Sequence, residues 1–313
     1  MRGNWEEIGG TQGPSMGRNA LQSGSLSDKE ISPALRAATY DSAPVPAIQE
    51  RKRNVLGVSV NVTDYNSAVE SVIRAARAKK SLGVTASAVH GIMTGVSDDE
   101  HRFRLNSLDL VVPDGQPVRW ALNWIHKAGL RDRVYGPNLT LEVCKRAEQE
   151  GLSVFFFGAN QEILSGLQQN LLIQFPRLLV AGTMSSKFRC LTVPERDHVV
   201  SEIRNSKASI VFVGLGCPRQ EIWVYEFQES LSCPLLAVGA AFPFLAGTVK
   251  QAPPWMQQRG LEWLFRLSRE PLRLWNRYLW LSPQFLALLL LQRLGLVQFA
   301  DRGRRPSQYV LPG

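Results

Sequence analysis

Between residues 54 and 249 short β-branched or aromatic runs alternate with amphipathic stretches, and few architectures accept that texture. The runs Val55–Val62, Gly83–Thr85, Leu108–Val112, Ser153–Gly158, Leu178–Gly182, Ser209–Gly214 and Leu235–Gly239 have the length and content of buried strands. Helical patterns fall at Asp64–Lys80, Gln116–Lys127, Asn138–Glu150, Gln161–Phe175, Pro194–Ser206 and Arg219–Leu231. Apolar strands joined by helices predict an α/β fold: a mostly parallel sheet with helices on both faces. Ligands should then bind at the carboxyl ends of the strands.

The flanks differ from this body. Residues 1–53 are rich in Ser, Gly, Pro and Ala without an apolar period, so they are expected to form a disordered N-terminal extension. Residues 250–313 carry 10 basic and 3 acidic side chains, against 19 and 18 in residues 54–249. Most of the net charge of +9 therefore sits in the tail. Within it, Arg259, Arg266, Arg269, Arg273 and Arg277 fall on one face of an aromatic helical stretch, either as a site for anions or as a solvated face. The expectation is a C-terminal basic amphipathic helical appendage on a domain spanning 54–249.

Cys144, Cys190, Cys217 and Cys233 match neither a CxxC pair nor a compact disulfide framework, which fits a reduced, cytoplasmic setting. No signal-peptide h-region opens the chain, and the longest aliphatic run near the C-terminus, Phe285–Leu291, is far short of a span. Contact with a membrane would have to be peripheral.

Three places could carry chemistry. The strand 108–112 runs into Pro113-Asp114-Gly115, so Asp114 is either a general base at a strand end or a turn-forming Asp-Gly. In Gly214-Leu215-Gly216-Cys217-Pro218-Arg219-Gln220-Glu221 a strand enters a glycine-bearing turn and then a helix. That geometry suits a diphosphate at Gly216, with Gln220 offering amide hydrogen bonds to a sugar or phosphate and Glu221 as a further substrate-binding candidate, or is simply a tight connection. Thr85-Ala86-Ser87 follows a strand and offers hydroxyls to the same cleft or caps a helix. Less strongly, Arg131-Asp132-Arg133 is a phosphate clamp or a surface ion pair, and Gly158 closes a core strand where a nucleotide can approach.

Some chemistry is missing. Residues 54–313 hold no Asp-x-Asp and no Walker lysine motif, and His90, His101, His126 and His198 have no metal-ligand spacing. No metal site and no cofactor are assigned. A nicotinamide-dependent oxidoreductase needs Gly-x-Gly-x-x-Gly after an early strand, and 55–64 has none. A nucleic-acid-binding protein would carry its charge on the folded body, which is nearly neutral.

In order along the chain, Leu-Val-Val-Pro-Asp-Gly at 110–115, Arg-Val-Tyr-Gly-Pro at 133–137, the run at 214–221, Gly239-Ala240 through Ala246-Gly247, and Gly-Leu-Glu-Trp-Leu-Phe-Arg-Leu at 260–267 followed by Glu270-Pro271 resemble the bacterial WecG/TagA/CpsF glycosyltransferases. The resemblance covers roughly residues 54–285. It implies a Rossmann-like, metal-independent, inverting enzyme at the inner face of the cell membrane. Such an enzyme moves a hexose or N-acetylhexosamine from a UDP-sugar to a polyprenyl-diphosphate-linked sugar in cell-surface polysaccharide synthesis.

By the same resemblance Asp114 is the base, with Thr85, Gln220 and Arg133 lining the pocket. Arg266, Arg273 and Arg277 would contact phosphates from a tail folded over the site. The partners implied are the two substrates and an anionic membrane surface, with no nucleic acid; nothing opposes a homo-oligomer. The chain departs from the family at Thr85-Ala86-Ser87, where Thr-x-Asn is common, and at Lys250-Gln251-Ala252-Pro253. Its Asp-Gly-Gln-Pro and Arg-Val-Tyr-Gly-Pro spellings are closer to exopolysaccharide glucosyltransferases than to teichoic acid enzymes.

Overall fold

A computed structural model describes residues 51–313, without the side chains at positions 254, 258, 273, 276 and 277. The expected N-terminal extension thus lies, up to residue 50, outside the described residues. Its expected boundary after residue 53 falls inside a strand.

The first apolar run is not a strand of the main sheet. It is an antiparallel hairpin of β1 (Lys52–Val55) and β2 (Val58–Asn61), reversed at Leu56-Gly57, where both residues take positive φ. A two-residue turn of this hand matches the strand twist. Its Lys52 ammonium donates to the Leu108 carbonyl at 2.5 Å, tying the hairpin to the start of the sheet.

Then follow α1 (Tyr65–Arg77), β3 (Leu82–Ser87), α2 (Val89–Ser97), α3 (Asp99–Ser107), β4 (Leu110–Pro113), α4 (Gln116–His126), α5 (Gly136–Glu150), β5 (Ser153–Gly158), α6 (Gln161–Gln174) and β6 (Leu179–Met184). The domain continues through α7 (Val193–Asn205), β7 (Ile210–Gly214), α8 (Arg219–Phe227), β8 (Pro234–Ala237) and α9 (Ala241–Leu245). The expected alternation is interrupted where α2 and α3, and again α4 and α5, follow one another without a strand between.

The six strands β3–β8 form one parallel sheet in the order β4-β3-β8-β7-β5-β6. From β3 the chain moves outward to β4, whereas β8 is reached from β7 on the other side, so the connections diverge between β3 and β8. A crevice is expected there, beyond the carboxyl ends.

Side-chain alternation fills both faces. Phe155 and Phe157 of β5, and Val211 and Val213 of β7, join the core shared with the hairpin, α2–α4, α7 and α8. Phe156 and Phe212 join the opposite core with α1, α5, α6 and α9. On one face Trp223 stacks between Phe157 and Phe227, with centroids at 4.9 and 4.2 Å; on the other Phe156 stacks on Phe212 at 5.3 Å. Each such fully buried aromatic contributes roughly 2–3 kcal/mol from lost water contact.

The tail breaks into α10 (Pro254–Gln258), α11 (Glu262–Arg269), α12 (Pro271–Trp275), a wider π turn over 276–281, and α13 (Ser282–Arg293). Pro271 opens a new helix, so the five arginine positions are divided among separate backbone segments. The helical appendage expected at the C-terminus is present, and it packs onto the body. Phe285 and Leu289 of α13 are buried in the hairpin-side core, and the Gln292 side chain accepts from Leu56 N–H at 3.1 Å. Among the described residues no helix is long and apolar enough to cross a membrane.

Candidate active site

Beyond the carboxyl ends of β3, β4, β7 and β8 lies a cleft of about 1030 Å³. Asp114, Arg133, Gly216, Gln220, Glu221 and Arg266, six of the sequence-selected residues, line it. Thr85 and Gly158 do not, and the side chains of Arg273 and Arg277 are outside the described residues.

Asp114 follows β4 directly, and its backbone N–H donates to the Ser87 carbonyl at 3.1 Å, continuing the β3–β4 pairing by one step. Its Oδ1 accepts from the backbone N–H of Gly136 at 2.8 Å. The Asp-Gly pair therefore ends a strand and also presents a positioned carboxylate. Loss of water around it raises its pKa to about 6, against the opposing pull of Arg133 and the Gly136 N–H. A carboxylate tuned toward neutrality can take a proton from a hydroxyl.

Arg133 does form an ion pair, but a buried one rather than one on the surface. It is buried, and its Nη2 lies 2.5 Å from Glu262 Oε2 at the start of α11. The Tyr135 hydroxyl donates to the other oxygen of Glu262 at 3.0 Å, and the Arg133 guanidinium lies 4.2 Å over the Tyr135 ring. Burial opposes the Arg133 charge, but Glu262 and Asp114 beside it more than compensate and raise its pKa. Tyr135 is pushed up by burial and by Glu262, so it stays a neutral donor. Sequence reasoning missed Glu262, although it is the only acid between Arg259 and Arg269 in an otherwise basic, aromatic run.

The turn after β7 is built for close approach. Gly216 has φ +78° with open space where a Cβ would stand, so its backbone faces the cleft bare. Gln220 holds the turn: its Oε1 accepts from Gly216 N–H at 3.2 Å and its Nε2 donates to Glu221 Oε1 at 2.9 Å. Thr85, fully buried, donates its hydroxyl to the same Glu221 oxygen at 3.1 Å. Thr85 thus lies beneath the cleft wall and acts on it through Glu221. Burial raises the Glu221 pKa, offset in part by hydrogen bonds from Gln220, Thr85 and Cys217.

Gly158 also lies beneath the wall. At φ +111° a Cβ there would come within 2.7 Å of the Gly214 backbone, and one at Gly214 would strike the Phe242 ring. These two glycines let β5 and β7 close up under the turn.

The far wall comes from the tail. Arg266 faces the cleft with its guanidinium 5.4 Å over the Phe244 ring, and Trp263, Tyr278, Leu279, Phe285 and Leu286 line an apolar stretch beside it. The cleft therefore joins a polar part, lined by Asp114, Glu221, Glu262, Arg133 and Arg266, to an apolar one. Exposed tryptophans at 120, 124, 255, 263, 275 and 280 lie on α4 and the tail segments.

A model of the glycosyl transferase WecG/TagA/CpsF family matches residues 53–298. Among curated relatives, an N-acetylglucosaminyldiphosphoundecaprenol N-acetyl-beta-D-mannosaminyltransferase of Bacillus subtilis (strain 168) is 25% identical over 243 residues, 77% of this chain and 91% of that protein. Its counterpart by name in Bacillus spizizenii is 30% identical over 186 residues, 59% of this chain and 70% of that protein.

Proposed function

Since the chain belongs to the WecG/TagA/CpsF glycosyltransferase family and is a glycosyltransferase, we propose that it moves a hexose or N-acetylhexosamine from a UDP-sugar to a polyprenyl-diphosphate-linked sugar, with inversion and without a metal. The observation that carries the reading is Asp114: a carboxylate fixed by Gly136 on the cleft wall, its pKa raised to about 6.

In this reading Asp114 takes the proton of the acceptor hydroxyl as that oxygen attacks the anomeric carbon from the face opposite the departing UDP. The sugar–phosphate bond breaks and its electron pair leaves with the diphosphate. Arg266, Arg133 and the backbone of the Gly216 turn meet that charge; Gln220 and Glu221 shape the turn, with Thr85 bracing Glu221 from below. Arg273 and Arg277 remain candidates for the same role. The apolar end of the cleft suits the first isoprene units of the acceptor. The exposed tryptophans, with the basic tail, suit a peripheral site on the inner face of an anionic membrane.

The relatives' names make N-acetylmannosamine the first donor to try and an N-acetylglucosamine-bearing lipid diphosphate the first acceptor. UDP release is measured over a panel of UDP-sugars with a short-chain acceptor, with and without EDTA. The expected result is release with one sugar, undiminished by EDTA. No release with any sugar, or activity lost to EDTA and restored by Mg²⁺, overturns the proposal.

A further inference from the structure

From the grouping of His101, Cys217 and Glu221 we infer a binding site for a thiophilic divalent cation of the zinc class, on the floor of the cleft behind the Gly216 turn. The sequence shows no ligand spacing, because the three residues come from α3, the turn after β7 and the first turn of α8. In the fold one donor atom of each lies within 4.8 Å of the others.

Two further observations point to a ligand. His101 is 1% exposed, yet among the described residues neither ring nitrogen has a hydrogen-bond partner. Glu221 is 2% exposed; its Oε1 is held by Thr85 and Gln220, while its Oε2 finds no hydrogen-bond partner of ordinary geometry among the described residues, with the Cys217 thiol beside the carboxylate. Buried polar atoms are normally paired. An imidazole nitrogen and a carboxylate oxygen left over beside a thiol form a donor set that zinc takes up and magnesium does not.

Zinc holds N, O and S at about 2.0–2.3 Å, which sets ligand atoms about 3.3–3.8 Å apart in a tetrahedron. Closing the three donors around an ion therefore needs about 1 Å of side-chain adjustment. Cys217 and Glu221 both line the cleft, so the fourth position opens toward it. Binding takes the thiolate form, with one proton released from Cys217 to solvent. A bound ion would tie the turn 214–221 to α3. The site adjoins the turn that the proposed function gives to the diphosphate, so it is tested by direct cation binding rather than by turnover.

The test uses the full chain, stripped with chelator and titrated with Co²⁺ as a spectroscopic stand-in for zinc. A thiolate-to-cobalt charge-transfer band should appear at one equivalent and be displaced by Zn²⁺. Cys217→Ser should abolish the band, and Glu221→Gln and His101→Asn should each weaken Co²⁺ binding at least about tenfold. Cys190→Ser, at an exposed cysteine outside the cluster, should leave it intact. If His101→Asn fails to fold, the half-buried Cys217 and its Ser variant decide. No band, or a band that survives Cys217→Ser, overturns the site.

Discussion

Arg133 and Glu262 are 129 positions apart in sequence and form a buried ion pair at 2.5 Å, joining the loop before α5 to the first turn of α11. The pair fixes the tail against the cleft and spends part of the positive charge that an incoming diphosphate would use. Breaking a buried pair by removing one partner leaves a charge stranded, whereas neutralising Glu262 while keeping its shape releases Arg133 toward the cleft.

Glu262→Gln should therefore bind UDP about three- to tenfold more tightly, since the amide can still accept from Tyr135 but no longer competes for the guanidinium. Calorimetry of UDP binding checks this. Weaker binding would mean that Glu262 orients Arg133 for the ligand, the opposite relationship.

Asp114→Asn should lower kcat by about 10²–10⁴ while leaving UDP affinity nearly unchanged, because a base acts on the acceptor. In the parent enzyme kcat should fall as the pH drops through about 6, where the carboxylate takes up its proton. Activity of the variant within threefold of the parent would remove Asp114 from this role.

The same shift affects stability with the opposite preference. A carboxyl whose folded pKa is raised from 3.8 to about 6 stabilises the fold fully below 3.8, and that contribution is lost as the pH rises through about 6. Asp114→Asn should thus be more stable than the parent at pH 8, by about 1–3 kcal/mol, with the gap closing toward pH 4. Denaturant melts at the two pH values measure it.

Thr85→Val removes the hydroxyl that donates to Glu221 and leaves a buried acceptor short of a partner, at a cost of about 1–3 kcal/mol. Because Thr85 acts through Glu221, its effect on kcat should largely vanish in a Glu221→Gln background. Full additivity of the two substitutions would place the Thr85 hydroxyl on substrate instead.

Arg266→Ala should cost rate with a short acceptor in detergent, where membrane recruitment is irrelevant, by about 10²-fold if the guanidinium stabilises departing UDP. A point change is needed here. Removing residues 260–313 would also take away Phe285 and Leu289, which fill the main core, and would confound catalysis with folding. A defect confined to vesicles would make Arg266 a lipid contact.

Much of the sheet was legible because β5 and β7 are apolar runs of strand length ending in glycine. The hairpin was not, since its reversal uses Leu56-Gly57 rather than an Asn-Gly or Asp-Gly signal, with a leucine at φ 53°. Nor was α3, whose nine residues, Asp-Asp-Glu-His-Arg-Phe-Arg-Leu-Asn-Ser without the first aspartate, carry no apolar period. Asp114, Arg133, Gln220 and Arg266 stood out by type and motif. Glu262 did not, because its meaning lies in a partner that only the folded chain brings to it. The same holds for His101, which is unremarkable in sequence and meets Cys217 and Glu221 only through the packing of α3 against α8.

The closeness of Gly158 to Gly214 bears on how variants of this protein are scored. Any side chain at either position drives β5, β7 or Phe242 apart, so a library ranked by activity alone would place these glycines beside Asp114 as equally intolerant. Yield of soluble protein separates the two kinds of intolerance. Gly158→Ala should be depleted from the soluble fraction, while Asp114→Asn should accumulate there as a well-folded, inactive chain.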